Sequence, residues 1–207
     1  MSDQPLLIIS TCGTSLLTNG AGDAVRKLVT KYANTRQSSE VRSEDSALLE
    51  QRIVAVGDAL ASASLVEAAK QSAELNTIIR LYDGSPDPSP DTHILLCTDT
   101  WLGEASAELV ATWLRDRGAI AMVHRQKDLQ TARLDAFQLA LSDLVRWCDQ
   151  VLPNYRGYRV VFNLTGGFKS IQGFMQTLAM FRDEVDEVVY IFESGSELLR
   201  IPRLPVK

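Results

Sequence analysis

The chain has 207 residues, of which 45% are hydrophobic and 23% charged, and its formal net charge is −5. This length suits one α/β domain with its own core, and the composition excludes a globally disordered chain. The negative charge argues against a protein that coats long DNA or RNA through a broad basic face, but it allows a short nucleotide held by a few well-placed donors.

The cysteines and histidines of the sequence form no recognisable metal site. The three cysteines are far apart and include no Cys-x-x-Cys pair, and only His93 and His124 are available beside them. The N-terminus has no basic segment followed by a long apolar one, and no apolar run reaches the roughly 20 residues that a membrane helix needs. We therefore expect a cytoplasmic protein with no metal, no cofactor and no membrane segment.

The first part of the chain predicts a buried strand followed by a helical segment. Leu6–Ser10 is a short apolar run typical of a buried parallel strand, and apolar spacing predicts a helix over Asp23–Tyr32. Residues 34–46 are polar and predict a loop. Over Leu48–Leu81 apolar residues recur at helical spacing, which predicts one long helix, or two with a break near Gly57.

The segment Tyr82–Pro90 is rich in proline and glycine, which end this helical stretch. Strands and helices then alternate. The strands are predicted at His93–Cys97, Ile120–His124 and Val160–Leu164, and the helices at Glu104–Arg117, 131–152 and Ser170–Phe181. The last two strands, Val188–Phe192 and Leu198–Ile201, predict a hairpin around Ser194-Gly195-Ser196.

This alternation predicts the α/β class: a Rossmann-like, doubly wound, mostly parallel sheet with a C-terminal β-hairpin. We expect a single domain over residues 1–207, with a helical insertion at roughly 44–83. In such sheets, ligands bind beyond the carboxyl ends of the strands, near the point where the strand order reverses. Loops that leave a strand and enter a helix are therefore the candidates for a site.

Two loops of this kind stand out. The first, Ser10–Ser15, has hydroxyl groups, one glycine and no charge. The second, Thr165–Ser170, has paired glycines that let main-chain amides approach a ligand closely, and its helix begins with free N–H groups at the positive end of a dipole. Lys169 adds a positive charge where a phosphate would sit. An anion site is one interpretation, and a tight turn that packs the helix on the sheet is the other.

Neither loop matches a standard nucleotide-binding motif. The P-loop pattern G-x-x-x-x-G-K-[ST] is absent because Gly166-Gly167-Phe168-Lys169-Ser170 has a different spacing. The pattern G-x-G-x-x-G is also missing after the first strand, which argues against a dinucleotide cofactor.

Taken together, these segments resemble a CARF domain, the CRISPR-associated Rossmann-fold sensor of cyclic oligoadenylates. The resemblance covers almost the whole chain, and the ending Arg200–Pro205 is also similar to members of that family. It rests on three segments: the first loop with Ser10, Thr11, Gly13, Thr14 and Ser15; Thr98-Asp99-Thr100; and Asn163-Leu164-Thr165-Gly166-Gly167-Phe168-Lys169.

The resemblance implies a ligand and a dimer. CARF domains pair across a two-fold axis over which the ring lies, so we expect a homodimer whose subunits supply the same loops to one cyclic oligoadenylate. The commonest ring in the family has four adenylates, and six stays open. The residues implied to bind the ligand are Gly13, Thr14, Ser15, Thr98, Asp99, Thr100, Trp101, Asn163, Thr165, Gly166, Gly167 and Phe168.

The resemblance further implies cleavage of the ring. The chain has no Arg-x-x-x-x-His motif of the HEPN ribonuclease type, so it is similar to stand-alone ring nucleases that switch off type III CRISPR signalling. In these, a ribose 2′-hydroxyl attacks the adjacent phosphodiester without a metal and leaves a 2′,3′-cyclic phosphate. Lys169 would stabilise the phosphorane or the leaving oxygen, and Ser10 and Thr11 would orient the ribose or phosphate.

Two other functions stay open at this point. The first is a non-catalytic sensor, or a module that sequesters the ring and acts on a separate effector, because binding and cleavage need the same anion site. The second is a transcription regulator, but the sequence shows no helix-turn-helix with a basic recognition helix.

Several residues near the two loops keep two interpretations each. Cys12 has no histidine partner in its loop, which favours a small loop-filling residue over a nucleophile. Asp99 either contacts the ligand or braces a turn. Trp101 either stacks on a base or packs against a dimer partner. His124, Arg125 and Lys127 predict a solvated basic loop.

Overall fold

The computed structural model describes residues 4–83, 91–191 and 197–203 of the chain. One six-stranded sheet forms its centre, with the order β3-β2-β1-β4-β5-β6. Strands β1 to β5 are parallel, and β6 pairs antiparallel with β5. The predicted fold class is thus confirmed. The strands are β1 (Leu6–Thr11), β2 (Thr92–Cys97), β3 (Ile120–Arg125), β4 (Arg159–Asn163), β5 (Glu187–Ile191) and β6 (Leu198–Pro202).

Helices cover both faces of the sheet. Among the helices of the described residues, none is long and apolar enough to cross a membrane. Short 3₁₀ turns lie at Ser38–Glu40 and Leu152–Tyr155. The α-helices in chain order are α1 (Ser15–Thr18), α2 (Asp23–Lys31), α3 (Ser43–Ser62), α4 (Leu65–Gln71), α5 (Ala73–Leu81), α6 (Trp101–Arg115), α7 (Leu134–Val151) and α8 (Lys169–Met180).

The strand order reverses at β1, which pairs with β2 on one side and β4 on the other. In the register between β1 and β4, Ile9 lies opposite Phe162 and Ser10 opposite Asn163. Since both strands run in the same direction, the loops that follow them leave the sheet side by side. This topology brings together the two loops that the sequence pointed to.

The central strands are buried on both faces, as a parallel sheet between helices requires. In β1, Ile8 packs into the core under α1 to α6, whereas Leu7 and Ile9 pack into the core under α7 and α8. Phe162 of β4 lies in this second core with 0% exposure. The position of the carboxyl ends of β1 and β4 therefore depends on two packed layers.

The helical segment before β2 consists of three helices, and the predicted break near Gly57 is wrong. Helix α3 continues through Gly57 because that residue packs closely against α6, where an added Cβ would lie 3.1 Å from Leu109 Cδ2. The breaks come at two serines instead. Ser64 caps α4 in a capping box with Glu67, and Ser72 accepts a hydrogen bond from the third amide of α5.

Other boundaries differ from the predicted ones by a few residues. The polar loop predicted at 34–46 contains a 3₁₀ turn and the first residues of α3. Helix α6 begins at Trp101, ahead of the predicted start at Glu104, because Thr100 serves as its N-cap. The short helix α1 was not predicted. The predicted breaker residues 84–90, Phe192, the turn at 194–196 and the final residues 204–205 of the CARF-like ending lie outside the described residues.

Phe162→Ala tests whether β4 anchors the second core. The change removes a fully buried ring and leaves a cavity, so the free energy of unfolding should fall by about 3–5 kcal/mol. Urea denaturation followed by circular dichroism measures it. Leu139→Ala, on a side chain of α7 that is 67% exposed, is the control and should change stability by less than about 0.5 kcal/mol. Equal effects of the two changes would contradict the assigned core.

Candidate functional site

A cleft of about 650 Å³ opens where the loops after β1 and β4 meet. Its position beyond the carboxyl ends of the strands, at the reversal of strand order, is where such sheets bind ligands. A larger groove of about 870 Å³ runs beside it along α4 and α5, but residues 166–168 of the loop after β4 line the cleft and not the groove. The cleft is lined by Gly13, Thr14, Ser15, Asn19, Ala73, Asn76, Leu164, Thr165, Gly166, Gly167, Phe168, Lys169, Gln172, Tyr190 and Ile191.

In the turn after β4 (residues 165–168), three carbonyl oxygens accept hydrogen bonds from a single side chain. Gln172 Nε2 donates to the carbonyl oxygens of Thr165 (3.3 Å), Gly166 (2.9 Å) and Gly167 (3.4 Å). In a trans peptide the next N–H points away from the carbonyl, so the amides of residues 166, 167 and 168 face away from Gln172. Within the described part of the chain these three N–H groups donate no hydrogen bond. They are available to an anion.

The two loops touch through their glycines. A Cβ on Gly13 would lie 3.1 Å from the Gly167 nitrogen and 3.3 Å from its Cα. Gly167 has a φ of +87°, a left-handed conformation that favours glycine. Thr11 Oγ1 also donates to the Gly166 carbonyl oxygen at 2.5 Å. The loop after β1 therefore sets the shape of the turn after β4.

Ser10, Thr11 and Asn163 lie beneath the loops and do not line the cleft. Ser10 has 0% exposure, and its Oγ accepts a hydrogen bond from Asn163 Nδ2 at 3.1 Å. Asn163 Oδ1 accepts from the Thr165 amide at 3.3 Å. These side chains are committed to holding the loops in register. Direct contact of Ser10 and Thr11 with a ligand stays a prediction, and their positions favour a supporting role.

Glu74 is one of the residues of this region that the sequence did not reveal, as are Asn76 and Gln172 of the cleft lining. Glu74 lies in the first turn of α5 with 1% exposure, and its Oε1 accepts the Gly13 amide at 3.0 Å. Its Oε2 accepts from Ser72 Oγ at 2.7 Å. Burial raises the pKa of the Glu74 carboxyl above its usual value, although these two hydrogen bonds act in the opposite direction. A glutamate early in a helix is common, so no local pattern marks it.

Thr165 links the turn to two further elements. Its Oγ1 lies 2.6 Å from Thr77 Oγ1 of α5 and accepts the Ile191 amide at the end of β5, at 3.1 Å. The turn after β4 is thus held from α5, from β5 and from the loop after β1.

Lys169 begins α8 at the rim of the cleft, and its side chain is exposed. In the described residues it forms no ion pair. The N-cap residue, Phe168, makes no side-chain cap hydrogen bond, and in the described residues the amides of Lys169 and Ser170 donate none, whereas the Ile171 amide donates to the Phe168 carbonyl oxygen. A positive charge, a helix N-terminus and the unpaired amides of the turn therefore occur together.

The segment Thr98–Trp101 lies outside the lining of the cleft. Asp99 forms ion pairs with Arg125 (2.9 Å) and Arg36 (3.2 Å) and accepts the Asp128 amide at 3.0 Å. These contacts match the bracing interpretation of Asp99.

The neighbours of Asp99 on this segment also have structural partners. Thr98 and Thr100 hydrogen-bond each other at 2.8 Å, and Thr100 caps α6. Trp101 is half-buried and packs against the first core. Ligand contacts by this segment stay a prediction.

The solvated basic loop expected at His124–Lys127 is wrong for its first two residues, which end β3. Arg125 is paired with Asp99 and with Glu104 at 2.6 Å. The His124 ring stacks on Trp147 with 4.2 Å between ring centres, and burial lowers the pKa of the histidine. Ion pairs therefore hold the Arg125 side chain, and ring stacking holds the His124 side chain, against neighbouring residues.

Cys12 is 4% exposed, and its thiol donates to the Ser10 carbonyl. Burial and the nearby Glu74 carboxyl raise the pKa of the Cys12 thiol well above its usual value, so it stays protonated at neutral pH. The structure therefore agrees with the loop-filling interpretation of Cys12. Among the described residues, no group of three or more His, Cys, Asp and Glu side chains has the arrangement of a metal site.

Comparison with known families gives one match. A family model described as CRISPR-associated protein (Cas_APE2256) matches residues 69–204, which is more than half of the chain. The matched span contains α5 with Glu74 and the whole turn after β4, whereas the loop after β1 precedes it. A search of curated proteins found no match to the chain.

Gly166→Ala tests the close packing beneath the turn. The new Cβ would overlap the Glu74 carboxyl and lie 2.8 Å from the Thr11 carbonyl oxygen, which is main chain and cannot rotate away. The free energy of unfolding should fall by about 1–3 kcal/mol in urea denaturation. Gly173→Ala in α8 is the matched control, since its Cβ meets nothing within 4 Å, and it should gain up to about 1 kcal/mol. If Gly166→Ala left the free energy of unfolding unchanged, Glu74 would not be packed tightly against the turn.

Proposed function

Because the chain belongs to the Cas_APE2256 family of CRISPR-associated proteins, we propose that its cleft binds a cyclic oligoadenylate and cleaves the ring without a metal, as a CARF ring nuclease. The observation that carries this proposal is the set of unpaired amides over residues 166–168, beside the exposed Lys169. Cleavage would switch off the type III CRISPR signal that the ring carries.

The cleft suits a phosphodiester for three reasons. Its main-chain N–H groups need no side-chain reorganisation to bind an anion. The N-terminus of α8 places partial positive charge at the same point, and Lys169 adds a full charge. Because the whole chain carries a net charge of −5, the attraction must come from these local groups.

A homodimer would complete the site. A ring of four adenylates has four phosphates and approximate two-fold symmetry, whereas the described part of one chain forms one cleft of this kind. An isologous dimer duplicates every donor, so two clefts facing each other would bind opposite phosphates of one ring.

In the proposed reaction, the 2′-oxygen of a ribose forms a bond to the adjacent phosphorus as the bond from phosphorus to the 5′-oxygen breaks. The 2′-hydroxyl proton passes to solvent, and the leaving 5′-oxygen takes up a proton. The product ends in a 2′,3′-cyclic phosphate and a 5′-hydroxyl. Lys169 and the loop amides would stabilise the charge on the phosphorane. The turn after β4 would hold the attacking 2′-oxygen, the phosphorus and the leaving 5′-oxygen in line.

We expect slow turnover. Among the described residues that line the cleft there is no histidine, aspartate or glutamate to act as a general base. This observation also favours the second candidate function, a module that binds the ring without cleaving it and acts on a separate effector.

Lys169→Ala should weaken binding of cyclic tetra-adenylate at least roughly tenfold, because it removes a charge-assisted contact. It should also lower the single-turnover cleavage rate by about a hundredfold, since the charge is largest in the transition state. Calorimetry measures the first effect. Chromatography of the products, in EDTA with protein in excess, measures the second.

Lys27→Ala, on an exposed position of α2, is the matched control and should change neither quantity. Unchanged affinity in Lys169→Ala would remove Lys169 from the site. A wild-type protein that binds the ring but leaves it intact after hours would favour the non-catalytic module. Cyclic hexa-adenylate run in parallel decides the ring size.

The dimer makes a separate prediction about stoichiometry. Calorimetric titration should show one ring bound per two chains, because each phosphate-binding loop occurs once per chain. One chain has a mass of 22.8 kDa, and light scattering should give twice that mass in the presence of the ring. One ring per chain on a monomer would contradict the two-fold site.

A further inference from the structure

Glu74 occupies an unusual place for a carboxyl group, directly beneath a loop that offers donors to an anion. It contacts both loops: its Oε1 accepts the Gly13 amide, and a Cβ on Gly166 would lie 2.5 Å from its Cδ. Its main-chain oxygen accepts Asn163 Nδ2 at 3.2 Å. The first turn of α5 is therefore the common support of the loop after β1, the end of β4 and the turn that follows it.

The surroundings of Glu74 supply hydrogen bonds but no charge. Within the described residues no lysine, arginine or histidine pairs with it. The titratable group beside it is the Cys12 thiol, which burial keeps neutral. An ionised carboxylate here is costly because it is desolvated without a counter-ion, and a phosphate bound above would add like-charge repulsion.

Both protonation states of Glu74 can satisfy their hydrogen bonds. As a carboxylate it accepts from Gly13 and from the Ser72 hydroxyl. As a neutral acid it keeps the Gly13 bond through Oε1 and donates from Oε2 to Ser72 Oγ. A hydroxyl oxygen has two acceptor sites, and the Leu75 amide at 3.2 Å occupies only one of them. The hydrogen bond to the Gly13 amide is thus the same in both states, whereas the bond between Glu74 and Ser72 reverses its direction.

We propose that Glu74 is the positioning residue of the cleft, that it holds the Gly13 loop against the Gly166–Gly167 turn, and that it takes up a proton when a phosphate group binds above it. The proton uptake rests on the proposed anion-binding function. The positioning role concerns the free protein and is independent of any ligand.

The direction of the pH effect follows from the raised pKa of the Glu74 carboxyl. A bound anion raises this pKa further, so binding is accompanied by proton uptake at a pH between the two values. The affinity is then highest at low pH, where Glu74 is already neutral, and falls as the pH rises. Glu74→Gln keeps the size and the acceptor for Gly13 but cannot ionise, so it removes this dependence.

The first experiment needs no ligand. Hydrogen–deuterium exchange of the peptides that cover residues 12–17 and 165–170 compares wild type with Glu74→Gln and Glu74→Ala. We expect Glu74→Ala to speed exchange in both peptides at least fivefold, and Glu74→Gln to stay within twofold of wild type. Circular dichroism verifies that each variant is folded. Unchanged exchange in folded Glu74→Ala would overturn the positioning role.

The second experiment measures calorimetric affinity for cyclic tetra-adenylate at pH 5.5 and pH 8. Wild-type affinity should fall at least fivefold over this range, whereas Glu74→Gln should lose most of that fall. Glu50→Gln, an exposed glutamate of α3, is the matched control and should follow wild type. The difference between wild type and Glu74→Gln isolates Glu74 from other groups that titrate in this range.

Equal pH dependence in wild type and Glu74→Gln would overturn the proton uptake. If wild type binds no ring at either pH, the proposed function fails and the proton linkage fails with it. The exchange experiment then still decides whether Glu74 positions the two loops, so the two failures are distinguishable.

Discussion

The candidate site depends on one constraint, the contact between the main chains of Gly13 and Gly167 at the reversal of strand order. Two loops from different strands can form a single cleft only if no side chain separates them. The hydrogen bond between Thr11 and Gly166 closes this contact, and the pair formed by Ser10 and Asn163 holds the strand ends beneath it. As a result, the fold itself orients the amides of the turn.

Electrostatics at the cleft act over a short range. The chain as a whole is acidic, so Lys169 and the N-terminus of α8 would act on the proposed anion only at close contact, where ionic screening matters least. The Glu74 carboxyl beneath the cleft is buried, and this burial raises its pKa. The packing that shapes the loops thus also weakens the negative charge beneath them.

The local patterns predicted most of the elements but not their partners. The apolar runs at Leu6–Ser10 and Val160–Leu164 marked strands because a buried parallel strand is apolar on both faces. The helix break predicted near Gly57 is wrong because the contact of Gly57 with α6 outweighs its low helix propensity. Asp99 kept two interpretations because its partners Arg125 and Arg36 are distant in sequence.

The sequence alone determined the α/β class and the two loops, since both follow from apolar periodicity and from glycines that end a strand before a helix. Only the tertiary structure decided that Ser10 and Thr11 lie beneath the cleft and that Glu74 supports it. The reason is that burial and hydrogen bonding join residues far apart in the chain: Glu74 is 61 positions from Gly13, and Ser10 is 153 positions from Asn163. No local pattern records such pairs.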